Sequence, residues 1–532
     1  MGDWLKNAVF YEIYPQSFYD TNEDGIGDIN GITAKLDYIK GLGCNAIWIN
    51  PCYDSPMKDA GYDVRDYKKV ASRYGTNEDL YRLFGEAHKR DMHILLDLVP
   101  GHTSEEHEWF LKSQKQDPNE FSGRYIWSTH AFWGSHDYPY IGGESERNGV
   151  YFLNFFKCQP ALNYGWLNPK EDWQDGIDSP NAIATREAMK DVMRFWLDHG
   201  CDGFRVDMAA SLVKNDDEEK TGTSKIWQDI RKMLDEDYPE ARMVAEWSDP
   251  PRAIRAGYHM DFVLNHPGHG YSKLARDYYN HPEDNKDMDK FFTGQTGEDP
   301  CLTDHSYFRK DDGADITAFL KDYQEMYDKT KGKGYISLLT CNHDTTRPRF
   351  NMTPRELSLY YSFLFTMPGV PFMYYGDEIG MRYLNLPTKE GGYGRTGSRT
   401  PMQWKKGKNL GFSDASPSDI YLPVDWRDDA PTVEEEEKDP SSLLNTVRSV
   451  LKLRADNEDL QSDGSFESLY AKEGQRPFAY KRGGFIIVIN PSGQEETVPV
   501  DASGRKVVWQ IGNGQAEGSS VKAGPQSFIV FA

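Results

Sequence analysis

Arg205 and Asp207 are separated by a single residue in the run Gly203-Phe204-Arg205-Val206-Asp207-Met208-Ala209, whose other side chains are apolar or small. On a strand, such positions point to the same side, so a guanidinium and a carboxylate would stand together at the end of a buried segment. Burying both groups is costly unless they are paired or put to use. A structural ion pair would explain one such strand. Three further apolar runs end in the same way. The run 94–99, with Asp97, leads to His102, Met243-Val244-Ala245 leads to Glu246, and the run 336–339 leads to Asn342-His343-Asp344. Carboxylates, imidazoles and a guanidinium are the groups of nucleophilic and acid–base catalysis. Four such strand ends in one chain point to one site.

The elements that carry these groups alternate. Strands are predicted over 9–18, 45–50, 92–99, 201–209, 242–247, 261–265, 334–341 and 369–375. Helices are predicted between them over 31–42, 77–90, 181–199, 223–234, 317–331 and 354–366. This rhythm implies parallel strands covered by helices. Eight strands suit a (β/α)8 TIM barrel, whose sites lie at the C-terminal strand ends. The rhythm breaks over 104–170, a stretch rich in Trp, Tyr, Gly and His that includes 132–138. It is expected to be a small inserted domain on the loop after the third strand, walling the site. The barrel is thus expected in two parts, 1–103 and 171–455. From 456 to 532, short β runs at 478–481, 484–490, 506–509 and 527–531 predict a C-terminal all-β sandwich. The acidic run 433–438 reads as a solvated helix start or loop.

A chain of 532 residues exceeds what one core usually holds, which fits this division. The net charge of −23 argues against nucleic acid or an anionic membrane as partner and is compatible with a neutral substrate. Aromatic residues make up 13%, with 32 Tyr and 13 Trp; they suit sugar rings but are equally ordinary core material. The six cysteines show no CxxC spacing, so neither a disulfide framework nor a zinc site is indicated. No signal peptide or membrane-spanning run is seen, and a reducing, cytoplasmic setting is expected. In Asp20-Thr21-Asn22-Glu23-Asp24-Gly25-Ile26-Gly27-Asp28, oxygen-bearing side chains alternate and Gly25 holds the sixth place. That is the first half of a calcium-loop pattern, although its twelfth place is Gly31 rather than Glu. A structural Ca²⁺ or Mg²⁺ is expected there, and no organic cofactor.

The segments DLVPGH (97–102), GFRVDMA (203–209), VAEW (244–247), NHD (342–344) and QPALN (159–163) resemble the signature segments of the α-amylase family of glycoside hydrolases. The stretches 61–67, 376–378 and 399–404 narrow the resemblance to its oligo-1,6-glucosidase and α-glucosidase branch, and it extends from about Trp4 to the C-terminus. The resemblance implies that Asp207 is the nucleophile, Glu246 the general acid and then base, and Asp344 the third carboxylate, which stabilises the cationic transition state. It implies further that Arg205 keeps Asp207 ionised and that Tyr62, His102 and His343 meet the sugar. Asp59 and Arg399 would clamp the glucose at the non-reducing end. Relatives hold a metal in the 20–28 loop, and the corresponding ligands would be Asp20, Asn22, Asp24, Asp28 and the carbonyl of Ile26. Asp97, well inside its strand, is expected to support the site.

Two carboxylates flanking a glycosidic bond, about 5–5.5 Å apart, give retention of configuration. The expected activity is therefore that of a retaining exo-α-glucosidase on short oligosaccharides, working as a monomer or weak homo-oligomer. A transglucosidase or a sugar isomerase forming trehalose or isomaltulose is the alternative; an endo-amylase or a catalytically dead binding relative is less favoured. The sequence departs from the family pattern at Gly101, where Asn is usual, and at Ala161, Met208 and Trp247-Ser248-Asp249. These positions flank the scissile bond and bear on linkage preference.

Overall fold

The computed structural model describes residues 3–130, 138–264, 271, 274, 306–389, 391 and 395–532. The stretch 131–137, position 265 at the end of the expected sixth strand, and Cys301 lie outside the described residues. Eight short strands form one parallel sheet: β1 Phe10–Ile13, β2 Ala46–Ile49, β3 His93–Leu98, β4 Gly203–Val206, β5 Arg242–Ala245, β6 Met260–Phe262, β7 Tyr335–Ser337 and β8 Phe372–Tyr374. They pair in chain order, and β8 returns to β1. A parallel bridge between Leu339 and Phe372 joins the β7 end to β8, so the sheet closes into a barrel. The strands are shorter than the sequence suggests. The predicted first strand, for instance, ends at Ile13 and gives way to a 3-10 turn at Pro15–Ser17, because proline has no N–H for the ladder.

Side-chain alternation sorts each strand into an outer and an inner row. The outer row packs on the helices. The inner row contributes Phe10, Ala46, Trp48, Leu95, Val244, Met260, Phe262, Leu339 and Phe372, which form a separate apolar cluster filling the barrel. One step further along each strand, the same inner row reaches Glu12, Asn50, Asp97, Arg205, Asp207 and Glu246. An apolar plug below and a polar layer above follow from the same period of two.

The covering helices begin where capping residues demand. Thr76 with Asp79 and Thr353 with Glu356 form capping boxes at Asn77–His88 and Pro354–Thr366. The expected helix over 31–42 is two pieces, Ile29–Ala34 and Leu36–Leu42. Between β3 and the helix Pro180–Asp198, short strands Trp127–Ser128, Tyr140–Gly142 and Val150–Phe152 form a small antiparallel sheet. The acidic run is a helix, Val433–Lys438. The C-terminal region holds antiparallel sheets of five and three strands, docked on Pro354–Thr366 partly by the Tyr480 and Thr366 hydroxyls, 2.6 Å apart. No helix among the described residues is long and apolar enough to cross a membrane.

Candidate active site

Arg205 organises the polar layer. It is paired in register with Asp97 on the neighbouring strand and is 1% exposed. Its Nη1 donates to both Asp97 oxygens (3.0 and 3.2 Å) and to Asp207 Oδ1 (3.1 Å), and its Nη2 lies 2.8 Å from Glu246 Oε1. Asp207 and Glu246 continue the parallel ladder beyond β4 and β5, through Asp207 N–H to Leu98 O and Glu246 N–H to Val206 O. Met208, next to Asp207, sits in the left-handed region at φ 44°, a strained conformation for a side chain of its size. That turn aims its N–H at Glu246 Oε2, 2.8 Å away.

Three carboxylates thus surround one guanidinium, leaving negative charge in excess. Burial pushes the Asp207 carboxyl well above its usual range, the neighbouring Glu246 pushes it further, and Arg205 offsets only part. Burial likewise raises Asp97 to about 6, against the pull of Arg205. Asp97 also accepts from Trp48 Nε1 (3.1 Å) and the Tyr62 hydroxyl (3.0 Å), which holds it beneath the site.

Asp344 is set apart from this group. Its Oδ1 accepts from Arg395 Nη1 (2.8 Å) and Arg399 Nη2 (2.6 Å), and its Oδ2 lies 3.3 Å from His343 Nε2. Burial would raise Asp344, but Arg395, His343 and Arg399 together outweigh it and hold the carboxyl well below the usual range. Tyr62 connects the two halves: its hydroxyl donates to Asp97 and lies 2.7 Å from His343 Nε2, and its ring stacks on that imidazole.

The barrel places two carboxylates, Asp207 and Glu246, just beyond β4 and β5 and a third, Asp344, after β7. Residues 12–463 match the family described as Alpha amylase, catalytic domain. The chain belongs to the alpha-amylase family. It is 33% identical over 496 residues to the trehalose synthase/amylase TreS of Mycolicibacterium smegmatis, spanning 88% of this chain and 78% of that protein. It is 31% identical over 590 residues to an oligo-1,6-glucosidase of Heyndrickxia coagulans, spanning 100% and 99%. Its fold matches an inactive double mutant of MutB in complex with isomaltulose at a TM-score of 0.79 and 25% identity, covering 100% and 99% of the two chains. It is an alpha-amylase-family glycoside hydrolase or transglucosidase, and its substrate is carbohydrate.

Asp59 and Arg399, the pair expected to clamp a glucose, have different protein partners. Asp59 Oδ1 is bound by Arg395 Nη2, and its Oδ2 accepts from Gln159 Nε2 at 2.6 Å. Arg399 is 0% exposed and donates instead to His343 O (2.9 Å) and to Asp344. The two arginines lie one 3-10 turn apart, at either end of Thr396–Ser398, so they face different partners. The recurrence of Arg four positions apart was the signal in the sequence for Arg395.

The two histidines also have protein partners. His102 donates Nε2–H to Tyr62 O (3.0 Å), and its Nδ1 accepts from Asn154 Nδ2 (3.0 Å); burial lowers it to about 4. His343 has both nitrogens engaged as well, Nδ1 with Glu12 and Nε2 with Tyr62 and Asp344. Contact of either ring with a sugar requires exchanging one of these bonds for a hydroxyl. Asn154 was invisible in the sequence, and it explains Gly101. A Cβ at position 101 would stand 2.8 Å from Asn154 Nδ2, so the amide fills the space where a side chain is usual in the family.

The 20–28 loop is a self-contained knot. Asp20 accepts from the N–H groups of Asn22, Glu23 and Gly25 (3.0, 2.9 and 2.8 Å) and from Ser413 Oγ (2.6 Å). Asp24 accepts from Ile26 N–H (2.9 Å) and Asn22 Nδ2 (3.1 Å), and Asp28 caps Ile29–Ala34 through Gly31 N–H (2.7 Å). Gly25 has φ +86°, and a Cβ there would meet Asp419 O at 2.2 Å. Among the described residues no group of three or more His, Cys, Asp or Glu side chains is placed to hold a metal. The donor chemistry still fits a hard cation, since Asp20, Asn22, Asp24, Asp28 and the Ile26 carbonyl offer only oxygen.

Proposed function

We propose that the protein is a retaining, exo-acting α-glucosidase that removes glucose from short α-1,4- or α-1,6-linked oligosaccharides. The observation that carries this reading is Arg395, which binds Asp59 and Asp344 at once and so ties the loop after β2 to the third carboxylate. Gln159 holds the other Asp59 oxygen, so in this reading a terminal glucose hydroxyl shares or displaces one of these bonds. The same pair of residue types, at one end of the site, supports recognition of terminal hydroxyls over a passing chain.

Asp207 attacks the anomeric carbon as Glu246 gives a proton to the departing oxygen. The resulting glycosyl-enzyme is hydrolysed when Glu246 takes a proton from water. Arg205 touches both carboxylates and fixes their relative position through each step. Asp344, ionised and held by three cationic or N–H neighbours, opposes the positive charge on the ring.

The second reading is a transglucosidase, in which a sugar hydroxyl replaces water. Its support is the named activity of the TreS relative and of the isomaltulose-bound MutB neighbour. A product time course on maltose, isomaltose, sucrose, trehalose and starch tests both. Release of α-glucose from disaccharides with starch untouched is the expected outcome. Accumulation of new disaccharides would install the second reading, and rapid cutting of starch into mixed oligomers would remove the exo assignment.

A cytoplasmic setting is supported by the buried thiols of Cys44, Cys52 and Cys201, none of them in a disulfide among the described residues. We also assign the 20–28 loop to a structural Ca²⁺ or Mg²⁺ that stiffens the turn leading into Ile29–Ala34. Adding calcium should raise the Tm by about 2 °C or more, reversibly with chelator, and Asp24→Asn should abolish the response. Identical Tm values in chelator, calcium and magnesium would remove the assignment.

A further inference from the structure

Glu12 lies at the inner end of β1, is 0% exposed, and has no part in the chemistry above. Its Oε1 lies 2.7 Å from His343 Nδ1, and Asn50 Nδ2 stands 3.0 Å from the same nitrogen and 3.2 Å from Oε1. Its Oε2 is buried with no hydrogen-bond partner among the described residues. The charged or titratable groups facing it are His343, Arg205, Asp344 and Tyr374.

The location of the protons follows from the acceptors. On the Nε2 side, His343 faces Asp344 Oδ2, in a carboxylate whose other oxygen is held by Arg395 and Arg399, and the Tyr62 hydroxyl, which gives its own proton to Asp97. Both are acceptors toward the ring, so Nε2 carries hydrogen. A second proton on the ring would put a cation in a fully buried position near Arg399, Arg205 and Arg395, and burial holds this imidazole well below its usual range. Nδ1 is therefore a bare lone pair. Two lone pairs 2.7 Å apart repel, so a proton lies between Nδ1 and Oε1, and it belongs to the carboxyl. The buried Oε2 agrees, since an ionised carboxylate would leave charge on an oxygen that no described residue hydrogen-bonds. Burial also raises this carboxyl well above its usual range.

We propose that Glu12 is a positioning residue that stays neutral and donates its hydrogen to His343 Nδ1, fixing the tautomer that turns Nε2–H toward Asp344. It would thereby supply the third carboxylate with its third donor, through a relay running from β1 to the loop after β7. The inference rests on the reading that Asp344 lines the sugar pocket.

Two variants test it. In Glu12→Gln the amide N–H can donate to Nδ1 as the acid does, so kcat/KM should stay within about threefold of wild type. In Glu12→Met, of similar length, the carboxyl donor at 2.7 Å is lost and the Asn50 amide, at 3.0 Å, is what remains beside Nδ1; kcat should fall about tenfold or more with the Tm retained. An infrared difference spectrum between wild type and Glu12→Gln should show one protonated carboxyl lost at neutral pH. A Glu12→Gln enzyme as impaired as Glu12→Met would overturn the proposal, because an ionised Glu12 would then be what the site needs. So would an unimpaired Glu12→Met, or an infrared spectrum without the carboxyl band. If Glu12→Met fails to fold, Glu12→Gln and the infrared measurement still decide. Asp207→Asn run alongside separates failure of this relay from failure of the nucleophile assignment.

Discussion

Asp207→Asn is expected to lower kcat by roughly 10⁴-fold or more on any substrate the wild type turns over, because the amide cannot form the glycosyl-enzyme. Folding should survive the change. The variant removes one of three carboxylates competing for Arg205, so the excess negative charge beneath the site falls, and the Tm should be unchanged or higher. Sugar binding, which the proposed function places on Asp59 and Asp344, should persist. A variant with wild-type turnover would remove Asp207 from its role. The wild-type pH profile bears on the same residue. Attack needs the ionised carboxylate, and burial, then Glu246, raise this group in the folded enzyme. Activity should therefore begin to fall on acidification at a pH above the ~4 typical of a free aspartate. An acid limb at or below that value would mean that Arg205 neutralises the cluster more fully than the geometry implies.

The pair Arg395→Met and Arg399→Met should separate function from framework. Arg395 binds Asp59 and Asp344 together, and truncating one partner of such buried pairs costs about 2–5 kcal/mol, so kcat/KM should drop roughly 30- to 5000-fold. Selectivity for chain ends should weaken with it, visible as a smaller ratio of disaccharide to starch turnover. Arg399 is wholly buried and braces the His343 carbonyl as well as Asp344. Its loss leaves a hole and an unsatisfied carbonyl, so its main effect should be a Tm drop of several degrees, from about 3–5 kcal/mol. A silent Arg395→Met beside a stable Arg399→Met with altered chain-end selectivity would restore the Asp59–Arg399 clamp that the sequence suggests.

These contrasts mark where local information stops. The barrel's chemistry was legible because it is written at a period of two: Arg205 and Asp207 share a strand face wherever the strand packs, and the apolar runs before Asp97, Glu246 and Asp344 announce buried strands with polar ends. The helices were equally readable from capping residues such as Thr353 and Glu356, which act within one turn. Strand lengths were less so, since Pro15 and the turn at Met208 end β1 and β4 earlier than the apolar runs imply.

What the sequence by itself determined was therefore the set of strand-end groups and the reaction class they suit. Tertiary structure alone decided which of them meet. Asp59 finds Arg395 across 336 residues, Glu12 finds His343 across 331, and the amide of Asn154 fills the space that Gly101 leaves open. No propensity or spacing encodes such pairs. They are fixed by closure of the barrel and by the loops folded over its rim, where desolvation makes each buried charge or lone pair take the one partner the surrounding packing brings within reach.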